Sequence, residues 1–237
     1  MSKLPPSLPG LTLLPGRLAR AEQEALVAEL REVVAAAPLF TPVMPRTGKP
    51  FSVCMTNCGP LGWVSDRAGY RYQATHPATG RPWPAIPARL LALWDEVTGY
   101  AAPPEACLVN FYGEGAKMGL HQDRDEEDFA APLLSVSLGD TGRFRLGGVE
   151  RSDPTRAFPL ASGDVLMLSG ASRLAHHGID RILPGTSTLL SGGGRINLTL
   201  RRVTTPVSQH EAAQNRDAGE QQRQPGRQRH HPGGLHQ

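Results

Sequence analysis

Two residues with different metal-binding groups stand two apart in the run MGLHQDRDEED: His121 and Asp123. On an extended chain the side chains at i and i+2 share a face, so this imidazole and this carboxylate can reach one ion. A second imidazole from a distant strand would complete the facial set of two histidines and a carboxylate that holds iron(II) and leaves positions for oxygen and a co-substrate. A bare His-x-Asp pair also occurs in solvated turns, so it needs support from elsewhere in the chain. The run SRLAHHGID offers two candidates for the third ligand, His176 and His177. Neighbours on a strand point to opposite faces, so only one of them can meet the metal, and spacing leaves open which. The other is expected to bond to backbone.

The segment GRINLTLR adds an independent signal. Arg195, Asn197, Thr199 and Arg201 alternate with Ile196, Leu198 and Leu200, which makes one face of a strand polar and cationic and the other apolar. In a two-layered β fold the apolar face packs, turning the guanidinium groups and the amide toward a cavity or toward water. Planar guanidinium groups bind carboxylates through paired hydrogen bonds, which suits a dicarboxylate pocket. The two arginines lie roughly 20 Å apart along an extended strand at ~3.3 Å per residue, so different roles are expected of them. Asn110 and Tyr112 in CLVNFY again share a face and offer an amide and a phenol to the same cavity.

These groups need a scaffold of strands, and the composition agrees. The 237 residues suffice for one domain with a buried core plus a tail. An apolar fraction of 39% with 26 Gly and 22 Pro implies many turns and favours a loop-rich β architecture over a helical bundle. From Ala106 the short runs CLVNFY, LLSVSL, RFRL, DVLML and RINLTLR, separated by Gly, Pro and Asp, predict an antiparallel barrel or double sheet. Ahead of them, Leu26, Leu30, Val33 and Val34 at helical spacing predict an amphipathic helix from Ala21 to Ala37. A second helix is predicted from Pro87 to Val97, with Leu90, Leu91, Trp94 and Val97 apolar and Gly99 as a stop. The expected order is helices first, then a β core.

The 25 Lys and Arg against 22 Asp and Glu leave a net charge of +3, which permits a nucleic-acid partner without pointing to one. Cys54, Cys58 and Cys107 form an odd set and no secretory signal run is evident, so a reducing cytoplasm is expected. Cys54-x-x-x-Cys58 lacks a second ligand pair for zinc and reads as ordinary thiols. No stretch approaches the ~20 apolar residues of a membrane span, so a soluble protein is expected. Beyond Val207 the chain is rich in Gln, Arg, Gly and His and reads as a disordered tail. Its Arg223, Arg227 and Arg229 suit a weak contact with nucleic acid, and His230-His231 at best a loose metal chelate.

Taken in order, MTNCGPLGW, TGRPWPAIP, CLVNFYGEGAKMGLHQDRDE, LLSVSLG, SRLAHHGI and RINLTLRR make the chain similar to the bacterial AlkB family, which repairs alkylated nucleic acid. The resemblance runs from about Leu11 to Arg202. It implies an α+β, mainly β fold: a double-stranded β-helix (jelly roll) core with N-terminal helices and a nucleotide-recognition lid. The implied organisation is an N-terminal extension at 1–10, a dioxygenase domain at 11–205 and the polar tail at 206–237. Within the domain the lid falls at about 45–85 and the jelly roll at 106–202. By position, the resemblance makes His121, Asp123 and His177 the iron ligands, choosing the histidine before Gly178 over His176. It makes Asn110, Tyr112, Arg195, Asn197 and Arg201 the 2-oxoglutarate pocket, with Arg195 on the distal carboxylate and Arg201 nearer the metal.

On the substrate side the resemblance implies that Trp63 stacks on a flipped base, with the ring of His121 on the other face. It places Tyr70 and Tyr72 along the lid against the nucleic-acid backbone, Asp125 at the base edge and Arg151 on the substrate side. The implied reaction is oxidative demethylation of N1-methyladenine and N3-methylcytosine in DNA, or RNA, using Fe(II), 2-oxoglutarate and O2 and releasing succinate and formaldehyde. A base methylated on its pairing edge pairs poorly, costs less to extrude, and carries a positive charge that suits Trp63 and Asp125. The rival enzyme reading is a related dioxygenase acting on RNA, a protein or a small molecule. A sugar-binding or metal-binding jelly roll would have no use for the full set of His121, Asp123, His177 and Arg195. DNA and RNA differ at the 2′-hydroxyl, for which the sequence carries no signature. A monomer is expected. Two features depart from the family pattern: His176, where an aromatic is expected and where a second imidazole could disturb the metal, and the polar tail.

Overall fold

The computed structural model describes residues 8–206. The tail arginines Arg223, Arg227 and Arg229 and the pair His230-His231 lie outside the described residues. In chain order the elements are β1 (Leu11–Leu14), α1 (Arg20–Ala36), β2 (Cys54–Cys58), β3 (Gly62–Asp66), β4 (Gly69–Gln73), α2 (Ala88–Thr98) and β5 (Ala106–Tyr112). There follow β6 (Met118–His121), β7 (Leu133–Gly139), β8 (Thr141–Leu146), β9 (Arg156–Leu160), β10 (Val165–Leu168), β11 (His177–Leu183) and β12 (Arg195–Arg201). A six-stranded sheet runs β1-β10-β7-β12-β5-β2, a four-stranded sheet β6-β11-β8-β9, and β3 and β4 form a separate hairpin. Neighbouring strands are antiparallel throughout. This is the mainly β, jelly-roll architecture that the strand runs and the family resemblance predict.

Two apolar layers hold it together. Between the sheets pack Leu108 and Leu133 of the larger sheet and Phe144, Leu146, Phe158 and Ile179 of the smaller. On the outer face of the larger sheet, Leu134, Val136, Leu198 and Leu200 meet Leu26, Leu30 and Val33 of α1 and Leu90, Leu93 and Trp94 of α2. Each helix is therefore amphipathic because it covers one sheet face. At the start of α1 the carboxylate of Glu22 accepts the N–H of Ala19 at 2.8 Å, which is half of a capping box; alanine has no oxygen to return the bond. Pro87 precedes α2 with extended backbone, and Gly99 closes that helix in the left-handed region at φ 58°. No helix of the described residues is long and apolar enough to cross a membrane.

The expected order of helices first and strands after needs correction. β1 precedes α1, and β2, inside the segment read as a lid at 45–85, is an edge strand of the larger sheet. Neither run alternates strictly enough to announce itself: β2 buries Met55, Thr56, Asn57 and Cys58 in succession, since both of its faces are covered. Cys58 faces the core beside Cys107, its register partner on β5, and all three cysteines are free thiols.

Leu198 sits at 0% exposure in the middle of β12, on the face that meets the helices. Leu198→Ala is expected to lower stability by about 2–5 kcal/mol through the lost apolar area and the cavity left behind. Denaturant unfolding should show a lower midpoint at unchanged slope.

Candidate active site

Two strand ends and a turn converge on one cavity of about 790 Å³. β6 brings His121, the turn after it brings Asp123, and β11 begins at His177, whose register partner is His121. The rings of His121 and His177 lie 4.6 Å apart between centroids. His121 Nε2 is 3.6 Å from Asp123 Oδ1, and His177 Nε2 is 3.9 Å from Asp123 Oδ2. One donor atom from each of the three falls within 4.8 Å of the others; among the described residues this is the one such cluster of His, Cys, Asp or Glu. Each imidazole is oriented the same way, with Nδ1 bonded to a backbone carbonyl two residues earlier: Gly119 for His121 at 2.9 Å and Ala175 for His177 at 3.0 Å. That contact fixes the tautomer and leaves Nε2 for a metal.

Burial pushes the His177 imidazole down to about 4, and the neighbouring His121 adds to this, so the ring is neutral at physiological pH. Burial would raise the Asp123 carboxyl, but the Arg201 guanidinium and the two imidazoles outweigh it and hold it well below the usual carboxylate range. A neutral imidazole and an ionised carboxylate are the forms that bind a divalent metal. His176 is not part of the cluster. Its ring is buried with Nδ1 unpartnered among the described residues, against the expected ring-to-backbone bond; only its main chain is paired, the N–H donating to the Gly148 carbonyl at 2.8 Å and the carbonyl accepting from the Gly147 N–H at 2.8 Å.

The polar face of β12 lines the same cavity through Arg195, Asn197, Thr199 and Arg201, joined by Asn110 and Tyr112 of β5, which are the register partners of Asn197 and Arg195. Arg195 is wholly buried and donates only to neutral acceptors: Ser137 Oγ at 2.7 Å, the carbonyl of Leu160 at 3.0 Å and that of Asp140 at 3.4 Å. Its Nε finds no partner among the described residues. Burial lowers this guanidinium to about 10. Tyr112 is pushed up to about 12 by burial, which keeps its phenol a donor. Arg201 differs: Nη2 donates to Asp123 Oδ2 at 2.7 Å, and Nη1 is buried without a partner.

β3 and β4 carry three aromatic residues that line the cavity, Trp63, Tyr70 and Tyr72. Trp63 and Tyr70 stack at 5.6 Å between ring centroids, and the indole N–H of Trp63 donates to Asp125 at 2.8 Å. Tyr70 is exposed. Tyr72 lines the same cavity, and its hydroxyl donates to the buried Glu126. Arg151 stands at the surface with Nη1 3.4 Å from the carbonyl of Leu120.

Sequence reasoning passed over several supports of the site. Gln122, between the first two cluster residues, donates to the carbonyls of Val149 and Leu174 and so ties two loops around them. Ser135 and Ser137 face Asn197 and Arg195, a pattern visible in hindsight as two serines at alternate places in LLSVSL. Glu126 and Arg173 form a buried ion pair at 3.2 Å that no local motif announces.

The fold and the donor set define an iron- and 2-oxoglutarate-dependent oxygenase: residues 10–201 match the 2OG-Fe(II) oxygenase superfamily. The chain is 57% identical over 198 residues to an alpha-ketoglutarate-dependent dioxygenase AlkB homolog of Caulobacter vibrioides, covering 84% of this chain and 90% of that protein. It is 42% identical over 184 residues to alpha-ketoglutarate-dependent dioxygenase AlkB of Escherichia coli, covering 76% and 84%. The solved structure of OsALKBH1 superposes with a TM-score of 0.67 at 33% identity, covering 82% of this chain and 99% of that one. The chain belongs to the AlkB family of dioxygenases, which use Fe(II), 2-oxoglutarate and O2.

Gly178 follows His177 where β6 and β11 are closest; a Cβ there would lie 2.5 Å from the carbonyl oxygen of Met118 and 2.7 Å from that of Gly119. Gly178→Ala is therefore expected to push β6 away and separate the two imidazole rings. A crystal structure of the variant with the 4.6 Å ring spacing retained would contradict this.

Proposed function

We propose that this dioxygenase removes methyl groups from alkylated nucleobases, N1-methyladenine and N3-methylcytosine in DNA, or RNA, with His121, Asp123 and His177 as the iron ligands. The observation that carries the substrate reading is the mouth of the cavity. There an indole, a stacked phenol ring and the carboxylate of Asp125 stand over the metal-binding cluster. A flat aromatic wall with one negative charge suits a planar cation, which a base methylated on its pairing edge is.

The donor set of two imidazoles and one carboxylate fits iron(II). The pocket fits 2-oxoglutarate because Arg195 is a buried cation without a carboxylate partner and with a free Nε. A distal carboxylate gripped by Arg195 and the Tyr112 phenol would neutralise that charge, while the unpartnered Nη1 of Arg201 supports a role at the metal end. Asn110 and Asn197 add amide groups along the cavity. When bound, iron(II), 2-oxoglutarate and dioxygen would supply the oxidation: the co-substrate loses carbon dioxide to become succinate, one oxygen atom going to succinate and the other to the N-methyl group, and the hydroxymethyl product releases formaldehyde and leaves N–H.

The chain's own residues supply position and selectivity. Trp63 stacks on the extruded base with the His121 ring on the other face, and Asp125 can exchange the indole N–H for the base edge. Tyr70, exposed on the hairpin, and Arg151 meet the strand that carries the base. We read 11–205 as the dioxygenase domain with its lid within 45–85, working as a monomer; the free thiols support the reducing cytoplasm as its compartment.

Anaerobic loading with iron(II), followed by 2-oxoglutarate, oxygen and an oligonucleotide bearing one N1-methyladenine, should yield formaldehyde and a base lighter by one methylene. Wild-type protein that releases none on DNA or RNA would sink the demethylase reading. Asp123→Ala is expected to abolish turnover. Trp63→Ala should weaken capture of the oligonucleotide while 2-oxoglutarate still binds. Arg195→Gln should weaken 2-oxoglutarate binding by about 100-fold in calorimetry, the loss expected when a buried carboxylate is left without its cationic partner.

A further inference from the structure

The carboxylate of Glu126 is 2% exposed, yet nothing in the reaction above uses it. Three groups from distant parts of the chain meet there. The hydroxyl of Tyr72 on β4 donates to Oε1, Nη2 of Arg173 lies 3.2 Å from Oε2, and Nε of Arg201 on β12 lies 3.4 Å from Oε1. Arg201 is thus shared, unequally, between two carboxylates: Nη2 and Nε donate to Asp123 Oδ2 at 2.7 and 3.3 Å, and the same Nε stands within ion-pair range of Glu126. Arg173 makes a second connection, with Nη1 donating to the backbone carbonyl of Asp123 at 2.8 Å and Nε to that of Ala131 at 2.9 Å. Two buried guanidinium groups and two buried carboxylates therefore balance in one connected group.

We propose that Glu126, clamped by Arg173, is a positioning residue that shares Arg201 with Asp123 and joins the β3–β4 hairpin to the metal-binding side chains, so that hairpin and metal site respond to each other. In a buried network, a guanidinium drawn by one carboxylate pulls less on the next. With the charge of Glu126 gone, Arg201 and Arg173 have Asp123 as their remaining counter-charge, and the stronger pull on Oδ2 competes with a metal. Any such linkage is reciprocal: what metal binding does to the hairpin, the hairpin does to metal binding. The inference rests on Asp123 as a metal ligand, and not on which substrate enters.

The test uses the full chain, anaerobic Mn(II) titration in the presence of 2-oxoglutarate, and hydrogen–deuterium exchange across residues 62–73. Glu126→Gln, nearly isosteric, should weaken Mn(II) binding by about 10-fold or more, the size expected for outer groups that orient a ligand. It should also speed exchange in the hairpin, although it lies outside it. Tyr72→Phe should speed hairpin exchange, weaken Mn(II) binding by less than Glu126→Gln does, and add nothing further in the Glu126→Gln background. Loading with Mn(II) and 2-oxoglutarate should slow hairpin exchange in the wild type and not in Tyr72→Phe, a comparison that stands even where Glu126→Gln fails to fold. An equal response in both proteins, or wild-type Mn(II) affinity in Glu126→Gln, overturns the proposal. Asp123→Ala separates the two levels of the argument: if it binds Mn(II) like the wild type, the ligand assignment itself fails.

Discussion

A guanidinium buried inside a β-sandwich must find compensation, because the cost of stripping water from an ion exceeds what dispersion returns. Two such groups, Arg195 and Arg201, project from one strand into the gap between the sheets, and the cavity is organised around their different solutions. Arg201 is compensated internally by Asp123 and Glu126. Arg195 has only a hydroxyl and two carbonyls, and burial lowers it to about 10. A carboxylate from outside the chain would complete the second solution, and the use of 2-oxoglutarate by this family matches that requirement.

The strand order makes both solutions possible. β12 lies between β7 and β5, so its backbone is fully paired and its two faces separate chemistry from packing. The apolar face of Leu198 and Leu200 locks against the helices, and the polar face is held rigidly toward the cavity. Room for the long side chain of Arg195 comes from Gly142 on the opposing sheet, where a Cβ would lie 2.9 Å from its Nε. Ser137 supplies a hydroxyl where a larger residue would fill the space. Packing thus decides where the charges can sit, and the charges decide what the cavity can bind.

Between the charged floor and the solvent stands the hairpin. Its Trp63 and Tyr70 form an aromatic surface at the mouth, while Tyr72 on the same strand reaches down to Glu126. One short element therefore touches both the entrance and the ion network that holds the floor. A two-stranded hairpin has little stability of its own, so its position depends on these side-chain contacts. The hairpin and the metal-binding cluster are joined by the same few side-chain contacts.

The sequence by itself determined the features whose periodicity is local. The alternation in GRINLTLR placed two arginines and an amide on one face of a strand, and the two-residue step from His121 to Asp123 placed their side chains together. The helices were legible from their apolar spacing and from Gly99. The ordered family motifs carried the architecture and pointed to His177. Short segments without alternation were not legible: β2 is buried residue after residue and has no period to read, and the four residues of β1 are uniformly half-buried. Tertiary structure alone decided the rest. His177 meets His121 through antiparallel register, and the partners of Glu126 are 47 to 75 residues away in β12 and the loop before β11, or 54 residues back in β4. Buried ions are paired by whichever distant segments the sheets bring side by side, and no spacing along one strand carries that information.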